Sequence, residues 1–289
     1  MSKSCVYFLN QNPIYRGIFS VSIRLLRKYN PNLPVTLFYV EDGGVDNYLP
    51  SLKLCKYISS DNAKKYLKIE ESEIFDLCKE LDVNLRRVKP PVKQLNGFNS
   101  THRVYLKEVQ DESVLLLDSD TFVYGNLDYF FDKKLDFVAD KMQSCSLAAE
   151  GKQACADKTF WVFNYEKDRN PETPVKVRMS PFNSGVVVFN NGTAAKYGEQ
   201  VLSYCNRLLL KKHPLAELMY VHREDARNRE ECACTLFVLE NNLTWGYFEK
   251  SDVQTHNLEF PVKVLHTTSP AWPYFFDVLA KQNLLVENS

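Results

Sequence analysis

The sequence predicts an α/β protein with a mostly parallel central sheet flanked by helices. Three observations carry that reading. First, Val114-Leu115-Leu116-Leu117 is an unbroken apolar run that meets Asp118-Ser119-Asp120 abruptly. Such a run reads as a buried central strand, parallel to its neighbours, that ends at a sheet edge. Second, the chain opens strand, helix, strand, with the spacing of a βαβ unit. Third, helix-then-strand order recurs from Ser100 onward, as in a doubly wound sheet.

Cys5 to Leu9 (CVYFL) is the first expected strand, and Asn10-Gln11-Asn12-Pro13 a turn. Ile14, Ile18, Val21, Leu25 and Tyr29 recur at helical spacing, and Pro31 and Pro34 end that helix. Val35 to Glu41 predicts a second strand, closed by Asp42-Gly43-Gly44; Leu54 to Ile58 predicts another. Glu71 to Leu81 has the pattern of an amphipathic helix, and Val83 to Val88 that of a short edge strand before Pro90-Pro91. Ser100 to Gln110 is expected to be helical and to lead into the central strand. A short helix over Asn126 to Phe131 and a strand over Asp136 to Ala139 follow.

From Lys141 to Arg178 the pattern is poor, and Gly151, Asn170, Pro171 and Pro174 suggest an irregular excursion of the kind that forms lids or acceptor loops. Within it, Phe160-Trp161-Val162-Phe163 could stack on a sugar ring or simply pack. Regular pattern returns with a strand at Gly185 to Asn190, a helix over Thr193 to Lys211 and a helix from about Glu230 to Glu240. Val262 to Leu265 is expected as a last strand, ending in His266, and Pro270 to Leu285 as an aromatic-rich, helical C-terminal extension. No internal repeat or low-complexity linker interrupts the chain, which reads as one domain over residues 1–289.

Lys+Arg and Asp+Glu both number 36, so no basic surface argues for nucleic-acid binding. No apolar stretch reaches the roughly 18 residues of a membrane span. The opening Met1-Ser2-Lys3-Ser4 leads at once into a strand and shows no signal-peptide core. The eight cysteines lack metal-like spacing, so reduced thiols in a cytoplasmic setting are expected. The sequons at Asn99, Asn191 and Asn242 would then be idle.

Two carboxylates one residue apart at a strand end would repel each other, and a bound cation resolves this. Hard ions such as Mn²⁺ or Mg²⁺ take carboxylate oxygen, and Mg²⁺ is often shared between carboxylates and substrate phosphates. His266 ends an apolar strand as Asp118 does, and an imidazole can complete a carboxylate-bound Mn²⁺. The plain alternatives are an Asp-rich turn and a hydrogen-bonded core histidine. The expected strand ends at Asn10, Asp42, Asp118, Asn183 and His266 would share one edge of a parallel sheet.

VLLLDSD, then FNSGVVVFNNG, REECACTLFVLENN and VKVLHTTSPAW, in that order, resemble the GT-A glycosyltransferases. The resemblance points to the glycogenin and bacterial galactosyltransferase group, glycosyltransferase family 8. The opening VYFLNQNPIYRGIFSVSIRLL is similar to that group's first strand and helix, while Lys141 to Arg178 has no counterpart.

The resemblance implies a GT-A (Rossmann-like) fold, with residues 1–140 as the nucleotide-binding half and 141–289 as the acceptor and sugar half. It implies a nucleotide-sugar donor, with uridine as the expected base, a glycan or glycoprotein acceptor, and transfer with retention. Asp118 would touch ribose and metal, Asp120 would bind metal, and His266 would be the third protein ligand of a Mn²⁺ or Mg²⁺ ion. Asn10 and Tyr15 fall where the family holds the base. Arg103, Ser119, Asn183, Ser184 and Gly185 fall among its donor contacts. Glu230 and Glu231 match an acidic or amide pair beside the donor sugar and are the expected catalytic residues.

Each residue also has a simpler reading. Arg103 could form a helix-surface salt bridge, Asn183-Ser184-Gly185 a tight turn, and Glu230-Glu231 a solvated acidic helix start. Two departures stand out. Ser269-Pro270-Ala271-Trp272 lacks the lysine with which the family grips the diphosphate, so that either another cation such as Lys93 or Arg103 serves or product release is faster. Glu231 stands where Gln is more usual. The rivals are a sugar nucleotidyltransferase, whose early Gly-rich phosphate loop is missing between Asn10 and Tyr15, and a non-catalytic carbohydrate- or partner-binding module.

Overall fold

The computed structural model describes residues 2–41, 61, 69–91, 99–141, 160–163, 174–177, 182–209, 229–255, 262–267 and 280. The strand expected at Leu54 to Ile58, the turn at Asp42-Gly43-Gly44, Lys93 and the Ser269-Pro270-Ala271-Trp272 loop lie outside them. So does most of Lys141 to Arg178 and of the C-terminal extension.

In chain order, β1 (Lys3–Asn10), α1 (Pro13–Tyr29) and β2 (Val35–Val40) are followed by α2 (Glu71–Glu80) and β3 (Val83–Val88). A 3-10 helix (Asn99–Glu108) precedes β4 (Ser113–Asp118) and β5 (Thr121–Val123). After a 3-10 turn at Asp128–Phe130 come β6 (Phe137–Lys141), β7 (Phe160–Phe163), β8 (Pro174–Val177) and β9 (Phe182–Phe189). Helices α3 (Thr193–Leu209) and α4 (Arg229–Glu240) lead to β10 (Trp245–Tyr247), β11 (Val253–Thr255) and β12 (Val264–His266). The chain forms two compact units, Met1–Pro90 with Asp111–Lys133 and Glu249–Ser289, and Pro91–Gln110 with Lys134–Phe248.

In the first unit, β4, β1, β2 and β3 lie side by side in that order and all run parallel. Val114, Leu115, Leu116 and Leu117 are wholly buried, as a central parallel strand requires. Each such side chain stabilises the fold by roughly 1.5–3 kcal/mol, enough to hold a polar site at the strand end. Helix α1 starts because Pro13 fits its first position and Asn12 Oδ1 accepts from the Ile14 N–H at 3.0 Å. Its Ile14, Ile18, Val21 and Leu25 face the core, and Arg27 and Lys28 favour its C-terminal end. The Glu70 N–H donates to Glu73 Oε2 at 2.7 Å, which fixes the start of α2. Strand β3 exposes Asn84, Arg86 and Arg87, and such a charged strand resists pairing with another chain.

A second, three-stranded sheet in this unit has the order β11-β12-β5. The expected central strand ends at Asp118, and the segment after it leaves the parallel sheet. The chain turns at Ser119-Asp120 and β5 joins the small sheet. Strand β12 is also not part of the parallel edge. It pairs antiparallel with β5, setting His266 opposite Thr121, and parallel with β11.

In the second unit, β9 pairs antiparallel with β6, which pairs parallel with β10; β7 and β8 form an antiparallel pair. Asn183 therefore sits near the start of β9 rather than at a carboxyl end of a parallel strand. The pattern-based start at Gly185 came too late because Phe182 to Ser184 are buried as well. The segment expected as an ordinary helix over Ser100 to Gln110 is wound as a 3-10 helix. Its backbone at Leu106 and Lys107 lies directly against α3, where a Cβ on Gly198 would stand 2.2 Å from the Lys107 nitrogen. That contact is tertiary, so a local helical pattern carries no sign of it. The expected helix over Asn126 to Phe131 is likewise only the 3-10 turn. Tyr197 of α3 stacks on Phe189 and packs against Phe237 of α4, with ring centroids 5.3 and 5.0 Å apart.

Candidate metal centre

Strand β4 delivers Asp118 at its last position, and the turn that follows delivers Ser119 and Asp120. The β5–β12 pairing brings His266 to the same place. His266 Nε2 lies 3.5 Å from Asp120 Oδ1 and 3.7 Å from Asp118 Oδ2. One ligand atom from each of the three residues falls within 4.8 Å of the others, the only such group among the described residues. Asp120 and His266 are buried, while Asp118 stays partly open with 39% of its side chain exposed.

Burial pushes the Asp120 carboxyl above the usual carboxylate range; the His266 imidazole opposes that rise and Asp118 adds to it. A buried carboxylate beside a second one is unfavourable when ionised and unaccompanied. A divalent cation would remove both penalties. Two carboxylates and an imidazole suit Mn²⁺ by ligand type, and the spacing allows all three to reach one ion. The residues fit the metal that the sequence implied.

Two threonines hold this arrangement, and the sequence reading passed over both. Thr121 Oγ1 donates to the Asp118 carbonyl at 2.8 Å. Thr267 donates to the Asp120 carbonyl twice, from N–H and from Oγ1, each at 3.0 Å. Their signal in the sequence is adjacency alone, since one follows Asp120 and the other follows His266.

The remaining candidate residues of the first unit lie at the end of β1, in α1 and in the turn after β4. Asn10 closes β1, and its Oδ1 accepts from the Asn12 N–H at 3.2 Å. Tyr15 is half-buried in the first turn of α1. Ser119 is buried in the turn between the two acids.

In the second unit, Arg103 is 3% exposed and its Nη2 donates to the Ser184 carbonyl at 3.0 Å. A helix-surface salt bridge is therefore not its role. Asn183 Oδ1 accepts from the Gly185 N–H at 2.9 Å, so Arg103, Asn183, Ser184 and Gly185 form one connected group. Gly185 does not need a left-handed backbone; among the described residues the glycine with positive φ is Gly192. Glu230 and Glu231 lie in the first turn of α4, with side chains outside the described residues.

No family model matches the sequence, and no curated protein matches it. Solved structures do. The galactosyltransferase LgtC, solved with donor and acceptor sugar analogues, matches at TM-score 0.51 and 13% identity over 99% of this chain and 98% of that one. The fold is GT-A. An active-site mutant of LgtC also matches at TM-score 0.51 and 13% identity, over 99% of this chain and 97% of that one. Mouse xyloside xylosyltransferase 1 stands at TM-score 0.49 and 11% identity over 92% of this chain and 97% of its own. No helix among the described residues is long and apolar enough to cross a membrane.

Proposed function

We propose that this chain is a metal-dependent glycosyltransferase. It transfers a sugar from a nucleoside-diphosphate sugar, with uridine as the base, to a glycan or protein acceptor, with retention. The observation that carries the reading is the convergence of Asp118, Asp120 and His266 within 4.8 Å. That ligand set lies on a GT-A fold shared with a known galactosyltransferase. The whole chain, residues 1–289, serves as one catalytic domain in this reading.

A Mn²⁺ or Mg²⁺ ion at this site would supply Lewis-acid stabilisation of the charge on the departing nucleoside diphosphate. Asp120 and His266, both buried, would hold the ion from the protein side, and Asp118, whose side chain is partly open, would also meet the ribose. Asn10 and Tyr15 contact the base, and Ser119 the donor. In the second unit, Arg103, Asn183, Ser184 and Gly185 act on the donor as a connected group. Glu230 orients sugar hydroxyls, and Glu231 stabilises positive charge at the anomeric carbon. Charge stabilisation of that kind acts in the transition state. Glu231→Gln should then lower turnover by roughly a hundredfold with donor affinity little changed; near wild-type turnover would remove Glu231 from the mechanism.

The test is turnover of a panel of nucleotide sugars with Mn²⁺ and with chelator. Release of nucleoside diphosphate from one donor, abolished by chelator, is expected. Undiminished turnover in chelator, or formation of the nucleotide sugar from triphosphate instead, would overturn the reading.

A further inference from the structure

We propose that Thr267, acting with Thr121, is a positioning residue that holds the two carboxylates of this site at cation-binding distance. The proposal rests on reading Asp118, Asp120 and His266 as a divalent-cation site.

The Asp120 carbonyl takes its first bond from the Thr267 N–H at 3.0 Å, which extends the β5–β12 ladder one step beyond the Thr121–His266 pair. That bond alone would satisfy the strand. The second, from Thr267 Oγ1 at 3.0 Å, is additional. On the other side of the turn, Thr121 Oγ1 reaches back three residues to the Asp118 carbonyl at 2.8 Å. Both threonines are wholly buried, so neither hydroxyl is there to meet water. On the neighbouring strand, the buried Tyr7 phenol lies 3.1 Å from Ser22 Oγ on α1. Each acid of the pair thus has its own main chain fastened by a threonine hydroxyl.

The physical need is plain. Asp118 and Asp120 repel each other when both are ionised, and Asp120 is buried with little water to help it. A turn free to relax would splay the two side chains apart, and an incoming cation would have to draw them together again. The threonine hydroxyls suppress that relaxation in the metal-free protein, so the ion meets a preformed set of ligands. A valine at either place would fill the same space and keep the β-branched shape, but would lose the hydroxyl bond.

The experiment is a Mn²⁺ titration of the nucleotide-free full chain, read by the electron paramagnetic resonance signal of free Mn²⁺, with melting temperatures measured in chelator. Wild type is compared with Thr267→Val, Thr267→Ser and Thr121→Val. Thr267→Val should weaken Mn²⁺ binding about ten- to a hundredfold, and Thr267→Ser should restore it. Thr121→Val should weaken binding in the same direction and carries the test if Thr267→Val does not fold. Wild-type Mn²⁺ affinity in both valine variants, with only their melting temperatures lowered, would overturn the proposal and leave the cation site standing. Absence of Mn²⁺ binding by wild type would overturn the cation site itself.

Discussion

Strands β4 and β12 both end in a candidate metal ligand, yet they reach it by different means. Strand β4 is six residues long, pairs in parallel with β1 along its length and buries every residue before Asp118. Strand β12 has three residues and is held by two short neighbours, one antiparallel and one parallel. The first is a scaffold element whose place follows from burial. The second, also buried, is placed by its pairing with β5 and β11 and by the Thr267 bonds just beyond it. The difference teaches that this site joins a long strand, paired along its whole length, to a short buried strand whose pairing is brief.

A change in β4 should therefore alter stability without altering chemistry. Leu116→Ala removes a wholly buried side chain from the scaffold and should cost about 2–5 kcal/mol in denaturant titrations. The folded fraction should keep wild-type Mn²⁺ affinity. A loss of affinity larger than the unfolded fraction explains would break the division between the two strands.

The second unit offers a scaffold element sensitive to acid. Burial pushes the His102 imidazole down to about 4. The unfolded chain, with an ordinary histidine, takes up a proton sooner as pH falls. This contribution to stability is therefore whole above about pH 6.5 and is lost progressively toward pH 4, by about 3 kcal/mol in all. His102→Gln should flatten that part of the stability profile. An unchanged acid limb would mean that His102 protonates in the folded state without penalty.

A smaller effect is expected where α3 meets the 3-10 helix. Gly198→Ala would set a Cβ 2.2 Å from the Lys107 nitrogen. The helix must shift, at a cost of about 1–3 kcal/mol. The metal centre lies in the first unit and should keep its Mn²⁺ affinity, as titration of the purified variant would show.

The contrast between β4 and β12 also explains what could be read beforehand. The apolar runs at Cys5, Val35 and Val114 and the capped helix after Asn12 carry their burial in local composition, and they lie where expected. Asp118, Asp120 and His266 could be named because each closes or follows an apolar run. Their route to one another could not, because strand pairing is not written in a three-residue segment. That is why β12 was expected on the parallel edge. The same blindness hid β10 and β11, which have only three residues each. Thr121 and Thr267 looked like ordinary strand threonines, since only the paired strands show which carbonyls their hydroxyls meet. Arg103 was expected as a donor contact through resemblance alone, while its bond to Ser184 depends on a fold contact 81 residues away in sequence.

The most direct test of the account is calorimetric titration of uridine diphosphate into the full chain, with Mn²⁺ and with chelator, for wild type and Asp120→Ala. The account predicts binding by wild type with Mn²⁺, no binding in chelator, and no binding by Asp120→Ala in either condition. The variant should keep a cooperative melt, because the apolar strand behind it is untouched. Equal affinity with and without metal, or wild-type affinity in Asp120→Ala, would contradict the claim that these carboxylates hold the cation on which the nucleotide depends.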